Sequence, residues 1–223
     1  MSRRLAFIYI SMEEISSFFT YLTNSEEIIQ TGGLLAILLI VLVENGLFFG
    51  FFLPGDYLLF LTGVFVASSH LDQPIALVLF GVFAAAVLGA YAGYISGRFF
   101  GDKIRNKKDS LFFKQKYLHR TSRYFEKYGN RTLIIARFLP IVRTFAPILA
   151  GLVRMNFVQF SIYNFVGAAI WTFTLVGGGY LLGNRFPFII DYVHYIILFF
   201  LAITTFTVIK GYLNARKEFQ DED

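Results

Sequence analysis

No residue between Ile75 and Gly97 carries a charge, and none does between Asn156 and Gly183. Each run reaches the roughly 20 residues that a helix needs to cross a hydrocarbon core about 30 Å thick. A further run, 188–209, is interrupted only by Asp191 and His194. In a bilayer every backbone N–H and C=O must be satisfied internally, so the spanning elements are helices or a closed barrel, and uninterrupted apolar runs of this length select helices. Composition agrees: 56% of the 223 residues are hydrophobic, 19% aromatic and only 16% charged. That is more apolar surface than a water-soluble fold of this size can hide. The chain reads as an all-α polytopic membrane protein.

Two other apolar segments are poor candidates for simple spans. Residues 32–68 are interrupted by Glu44-Asn45 and by "LPGD" at 53–56, and the piece after the break, "YLLFLTGVFVA", is too short to cross alone. Residues 131–153 contain Pro140 and Pro147, which lack the backbone donor a helix interior uses. Both segments are predicted as re-entrant helical hairpins, with Pro54, Gly55, Pro140 and Pro147 as the breaks or gating positions. Irregular backbone at such depth needs protein or a wet cavity to cover it.

An internal repeat supports this partition. "FLP" at 52–54 recurs at 138–140, and Gly93-Tyr94 followed by Gly97 recurs as Gly179-Tyr180 followed by Gly183, both with an offset of 86 residues. Gly81 and Gly167 share that offset. The predicted organisation is an N-terminal interfacial segment 1–31, with an amphipathic helix over 5–22. A first repeat, 32–97, holds the hairpin 32–68 and a transmembrane helix 75–97. A basic loop with amphipathic helices, 98–130, leads to a second repeat, 131–183, with the hairpin 131–153 and a transmembrane helix 156–183. A C-terminal transmembrane helix, 188–209, and a tail, 210–223, complete the chain. A hairpin plus one crossing makes an odd number of passes, so the two repeats are predicted to be inverted, as in many secondary transporters.

Charge sets the orientation. From Arg98 to Arg131 eleven Lys or Arg face three acids, Asp102, Asp109 and Glu126, so this loop is predicted to be cytoplasmic, and Lys210, Arg216 and Lys217 place the C-terminus on the same side. Aromatics among the lysines (Phe112, Phe113, Tyr117, Tyr124, Phe125) suit helices on an anionic leaflet rather than a nucleic-acid surface. The chain has no cysteine, and its histidines (His70, His119, His194) are scattered, so neither a disulfide framework nor a metal site is expected. No cofactor is implied.

The charges inside the hairpins carry the functional reading. Glu44 lies ten residues past Leu34, which at about 1.5 Å per residue puts it near the middle of the core. Asp56 sits in the first break, and Arg137 and Arg143 flank Pro140 in the second. An ionised side chain at that depth costs about 3 kcal/mol on insertion scales, so it faces a cavity or a partner. Simple pairing between the hairpins would also account for these residues, but buried ion pairs are poor stabilisers beside apolar packing. Two guanidiniums that can fork onto oxygens suit a phosphate, which makes Arg137 and Arg143 the candidate anion-binding residues. Glu44 and Asp56 are cast as proton-coupling groups or counter-ions. Trp171 and the glycines of "VGGGY" read as helix-packing residues.

"ENGLFFGFFLPGDYLLFLTG", "GAYAGYISGRFFG" and "ARFLPIVRTFAPILAG" resemble the DedA family of bacterial inner-membrane proteins, related to the eukaryotic VTT-domain lipid scramblases. The family's membrane glutamate, the aspartate of its "PGD" break and its two arginines match Glu44, Asp56, Arg137 and Arg143. The resemblance implies a non-enzymatic lipid transporter of the bacterial cytoplasmic membrane. Its substrate would be undecaprenyl phosphate, the lipid carrier of cell-envelope sugars, flipped from the outer to the inner leaflet at the expense of the proton motive force. A polyprenyl phosphate or phospholipid and the surrounding membrane lipids are the implied partners, nucleic acid is not, and a homo-oligomer is compatible with the sequence. An uncoupled phospholipid scramblase and a proton-coupled cation or drug antiporter remain as alternatives, the second opposed by the two arginines. A lipid phosphatase would need a histidine in a Ser-Gly-His setting that the three histidines lack.

Overall fold

A computed structural model describes residues 25–47, 55–105 and 132–192, together with Tyr195, Leu198, Phe199 and Ala202. In chain order the elements are α1 (Ser25–Gly46), α2 (Gly55–Ala67), α3 (Ile75–Arg105), α4 (Thr132–Ala136), α5 (Pro140–Leu152), α6 (Phe157–Thr172), a π-helical turn (Phe173–Gly177), α7 (Gly178–Arg185) and a 3-10 segment (Pro187–Tyr192). Among the described residues there is no strand. The chain is an all-α membrane protein.

Two stretches are long and apolar enough to cross a membrane, Ile75–Gly101 and Phe157–Arg185, the latter running continuously through α6, the π turn and α7. Both outrun their predicted limits. Helix α3 continues to Arg105, so the first residues of the expected loop 98–130 are helical. At the other end, α7 stops at Arg185 because Phe186 precedes Pro187 and leaves the helical region (φ −132°, ψ 77°). The predicted span 188–209 therefore begins as a 3-10 turn, not as α-helix. Beyond Tyr192 only Tyr195, Leu198, Phe199 and Ala202 of that span are described, and all four are helical; the tail 210–223, the predicted helix 5–22 and residues 106–131 lie outside the described residues.

The two broken segments resolve into short arms. Helix α1 bends at Gly33, whose φ of 55° only glycine adopts at low cost, so its apolar arm is Leu34–Gly46. Glu44-Asn45 does not interrupt it: both residues belong to its last turn, where the Asn45 carboxamide donates back to the Val41 carbonyl at 2.8 Å. Helices α2 and α5 have 13 residues each, about 20 Å of helix and short of a 30 Å core. The second break lies at 137–139, because Leu139 precedes Pro140 and is extended (φ −108°, ψ 109°) while Pro140 opens the next helix. The expectation of a break at Pro147 is corrected, since α5 runs straight through it. The bond Pro147 cannot make is the one to the Arg143 carbonyl, four residues back.

The arms pack crosswise. Arm α5 lies along α3, and arm α2 lies along α7, while α1 packs on α3 and α4 on α6. The crosswise contacts are backbone to backbone. A Cβ added at Gly97 would collide with the Ile148 carbonyl and one at Gly151 with the Tyr94 carbonyl; likewise Gly63 meets Val176 and Gly179 meets Phe60. Where lipid surrounds the helices such close approach, rather than water exclusion, supplies the attraction. The largest buried cluster joins Ile37 and Val41 of α1, Leu59 and Val64 of α2, Val78 and Val82 of α3, and Trp171 and Val176. Leu77, Phe80, Leu88, Phe165 and Phe173 are exposed, as lipid-facing residues should be.

Candidate functional site

Glu44, Asp56 and Arg143 arrive from three helices and meet. Glu44 occupies the last turn of α1, Asp56 the first turn of α2, and Arg143 the first turn of α5. Arg143 forks between the acids: its Nη2 donates to Glu44 Oε1 and its Nη1 to Asp56 Oδ1. The side chains of Arg143 and Glu44 are 2% and 1% exposed, that of Asp56 20%. One guanidinium thus serves two carboxylates, and Glu44 Oε2 and Arg143 Nε are left buried without a hydrogen bond. Gly55 is part of this arrangement, because any Cβ there would overlap the Glu44 carboxylate. Pro54 lies outside the described residues.

Arg137 is placed differently. It sits in the turn between α4 and α5 and is buried. Its Nη2 donates to Asn164 Oδ1 at 2.5 Å and more distantly to the Ala86 carbonyl at 3.4 Å. Its Nη1 is buried and has no hydrogen-bond partner. Among the described residues no carboxylate pairs with it. The two arginines, expected to act alike, therefore differ: one is matched by two acids and the other by none. Both line a small recess, together with Leu133, Ala146, Pro147, Phe160 and Asn164.

Trp171 and Asn164 are the residues that sequence reasoning missed. Trp171 is no mere packing residue. Its Nε1 donates to Asp56 Oδ1 at 3.0 Å, and its ring lies 5.0 Å from the Arg143 Cζ and 5.9 Å from the Arg137 Cζ, within cation–π range. Asn164, Gly167, Ala168 and Trp171 fall at helical spacing on one buried face of α6. The signal for Asn164 was present in the sequence, as a carboxamide inside a charge-free span must find a polar partner. For Trp171 the signal was an indole N–H placed where no water can satisfy it.

Comparison with known proteins places this architecture. A family model described as the VTT domain matches residues 53–181. Over 146 residues the chain is 39% identical to protein DedA of Escherichia coli (strain K12), covering 66% of this chain and 67% of that one. It is 37% identical to inner membrane protein YqjA of the same organism over 145 residues, 65% of each chain. A membrane protein of Mycobacterium tuberculosis (strain ATCC 25618 / H37Rv) is 41% identical over 153 residues, 69% of this chain and 66% of its own. No solved structure matches the chain.

Proposed function

Because this chain belongs to the DedA family of VTT-domain membrane proteins, we propose that it carries a lipid phosphate between the two leaflets. Undecaprenyl phosphate, returned from the outer to the inner leaflet for reuse in envelope synthesis, is the substrate that the family resemblance implies. The observation that carries the reading is the buried Arg137 guanidinium, unmatched by any carboxylate among the described residues and bordering a recess it shares with Arg143. A cation in that setting gains most from an anionic ligand, since its charge is poorly screened there.

The acids supply the coupling. While Glu44 and Asp56 are ionised they hold Arg143 in its fork. A proton on either one weakens its hold on a guanidinium donor, and that donor can then turn to the phosphate oxygens. Anion entry and proton uptake thereby favour each other, which is how a proton gradient would drive the lipid. Crosswise packing of α2 on α7 and α5 on α3 supports an inverted pair of repeats, and the shortness of both arms supports re-entrant hairpins. The basic middle loop would then be cytoplasmic. No covalent step is part of this cycle, and an unmatched cation at the site speaks against a cation or drug antiporter.

Proteoliposomes holding a labelled polyprenyl phosphate in one leaflet test the reading, with and without an imposed pH gradient. Gradient-stimulated movement should vanish in Arg137→Ala, while Glu44→Gln and Asp56→Asn should lose the stimulation. Movement that ignores both the gradient and the acid variants would make the protein an uncoupled scramblase, and no movement of lipid phosphate at all would overturn the proposal. The chain lacks cysteine, so single cysteines at Pro54 and Pro140 can be labelled from either side. Labelling of both from the same face would rule out the inverted arrangement.

A further inference from the structure

We propose that Asn164 is a specificity-determining residue of the anion site: its neutral carboxamide orients Arg137 while leaving that guanidinium's charge for an incoming oxyanion. The inference rests on the reading of Arg137 as the anchor of a phosphate group.

Asn164 is 4% exposed and stands between α3 and the turn that bears Arg137. Its Nδ2 donates to the Val87 carbonyl at 3.3 Å, and its Oδ1 accepts from Arg137 Nη2 at 2.5 Å. Only this orientation of the amide satisfies both neighbours, because a carbonyl can only accept and a guanidinium can only donate. One turn along α6, a Cβ at Gly167 would come within 3.3 Å of the Arg137 Cδ, so the arginine stem is confined as well. Arg137 is thus aimed, with Nη1 left buried and unpartnered in a side chain that lines the recess.

Shape does not demand an amide at position 164. Aspartate is nearly isosteric and would bind the guanidinium more strongly through a charge-assisted bond. That is the treatment Arg143 receives, from two acids. A carboxylate at 164 would cancel the positive charge facing the recess, whereas the carboxamide holds the side chain and cancels nothing. The ligand class that fits is a phosphate group, carried on a lipid headgroup or present as free phosphate.

The test uses the full chain in nanodiscs. Trp171 is the single tryptophan of the sequence and its ring lies 5.9 Å from the Arg137 Cζ, so its fluorescence reports on the site. The probes are inorganic phosphate in the buffer and dioleoyl phosphatidic acid in the disc, each compared with phosphatidylcholine discs alone. A saturable change with either probe in the wild-type chain supports the site. A response to phosphatidic acid only assigns it to a lipid headgroup, and a response to both assigns it to the phosphate group as such. Asn164→Asp should weaken the affinity by about tenfold or more, the worth of one charge-assisted contact. Asn164→Ala should weaken it by only about threefold, because the guanidinium loses its orienting acceptor but keeps its charge. A residue that served only as a structural peg predicts the reverse order, with alanine worse than aspartate. That order, or an aspartate variant that binds like wild type, would overturn the assignment of Asn164 while leaving Arg137 as the anchor. A wild-type chain silent to both probes would overturn the anchor and this inference together. Should the aspartate variant not fold, alanine alone decides: a loss of about threefold supports the proposal, and an unchanged affinity or a loss of about tenfold or more refutes it.

Discussion

The fork of Arg143 predicts two unequal couplings. Its bond to Glu44 joins side chains that are 2% and 1% exposed, whereas the Asp56 partner is 20% exposed. At an effective dielectric of about 20, unit charges about 4 Å apart interact by roughly 4 kcal/mol, and a hydrogen bond to a charged group nets about 1.5–3 kcal/mol. The Glu44–Arg143 coupling should therefore be about 3 kcal/mol. The Asp56–Arg143 coupling should be about half of that, because solvent reaches Asp56 and Trp171 shares the same carboxylate oxygen. Two double-mutant cycles measure this, Glu44→Gln with Arg143→Gln and Asp56→Asn with Arg143→Gln, read as reversible unfolding in mixed micelles. Arg143→Gln alone should destabilise most, since it leaves two carboxylates without their cation, and either acid substitution in that background should recover part of the loss. A Glu44 coupling below about 0.5 kcal/mol, or an Asp56 coupling larger than the Glu44 one, would refute the reasoning from burial.

Further outcomes follow from the same geometry. Gly55→Ala should displace the Glu44 carboxylate and abolish gradient-driven transport, with the melting temperature lowered; wild-type transport would mean that the contact is not needed. Trp171→Phe keeps a ring beside the guanidiniums but deletes the N–H that donates to Asp56, so thermal unfolding should show a loss on the order of 2 kcal/mol. Pro147→Ala should leave the fold intact and raise stability by on the order of 1 kcal/mol, by restoring the amide bond toward the Arg143 carbonyl; collapse of the protein would restore Pro147 as a required break.

The membrane helices and the four charges were legible in the sequence because both depend on local facts, the length of an apolar run and the cost of charge within it. The division of labour between Arg137 and Arg143 was hidden, because it depends on Leu139 being extended before Pro140 and on which helix happens to face each guanidinium. Asn164 and Trp171 reach the site from 27 residues beyond Arg137 and 115 beyond Asp56, distances over which no periodicity operates. Pro147 misled for a different reason. A proline interrupts a helix only if the neighbours cannot tolerate the missing bond, and here its Cβ side fits against Gly93, where an added Cβ would sit 3.3 Å away.

The crosswise packing of the arms has a consequence for biogenesis. Glu44 precedes Arg143 by 99 residues and Asp56 precedes it by 87, so at the ribosome both acids are delivered to the insertion machinery well before their cation has been synthesised. Arm α2 also lacks the helix on which it will lie, because Gly179 and Gly183 come later still. Either the early acids remain protonated or the nascent segment waits in a wet vestibule until the second half arrives. Two fragments divided within 106–131 should accordingly be unstable when made singly and should rescue each other when made together, each completing the seam that the other has left open.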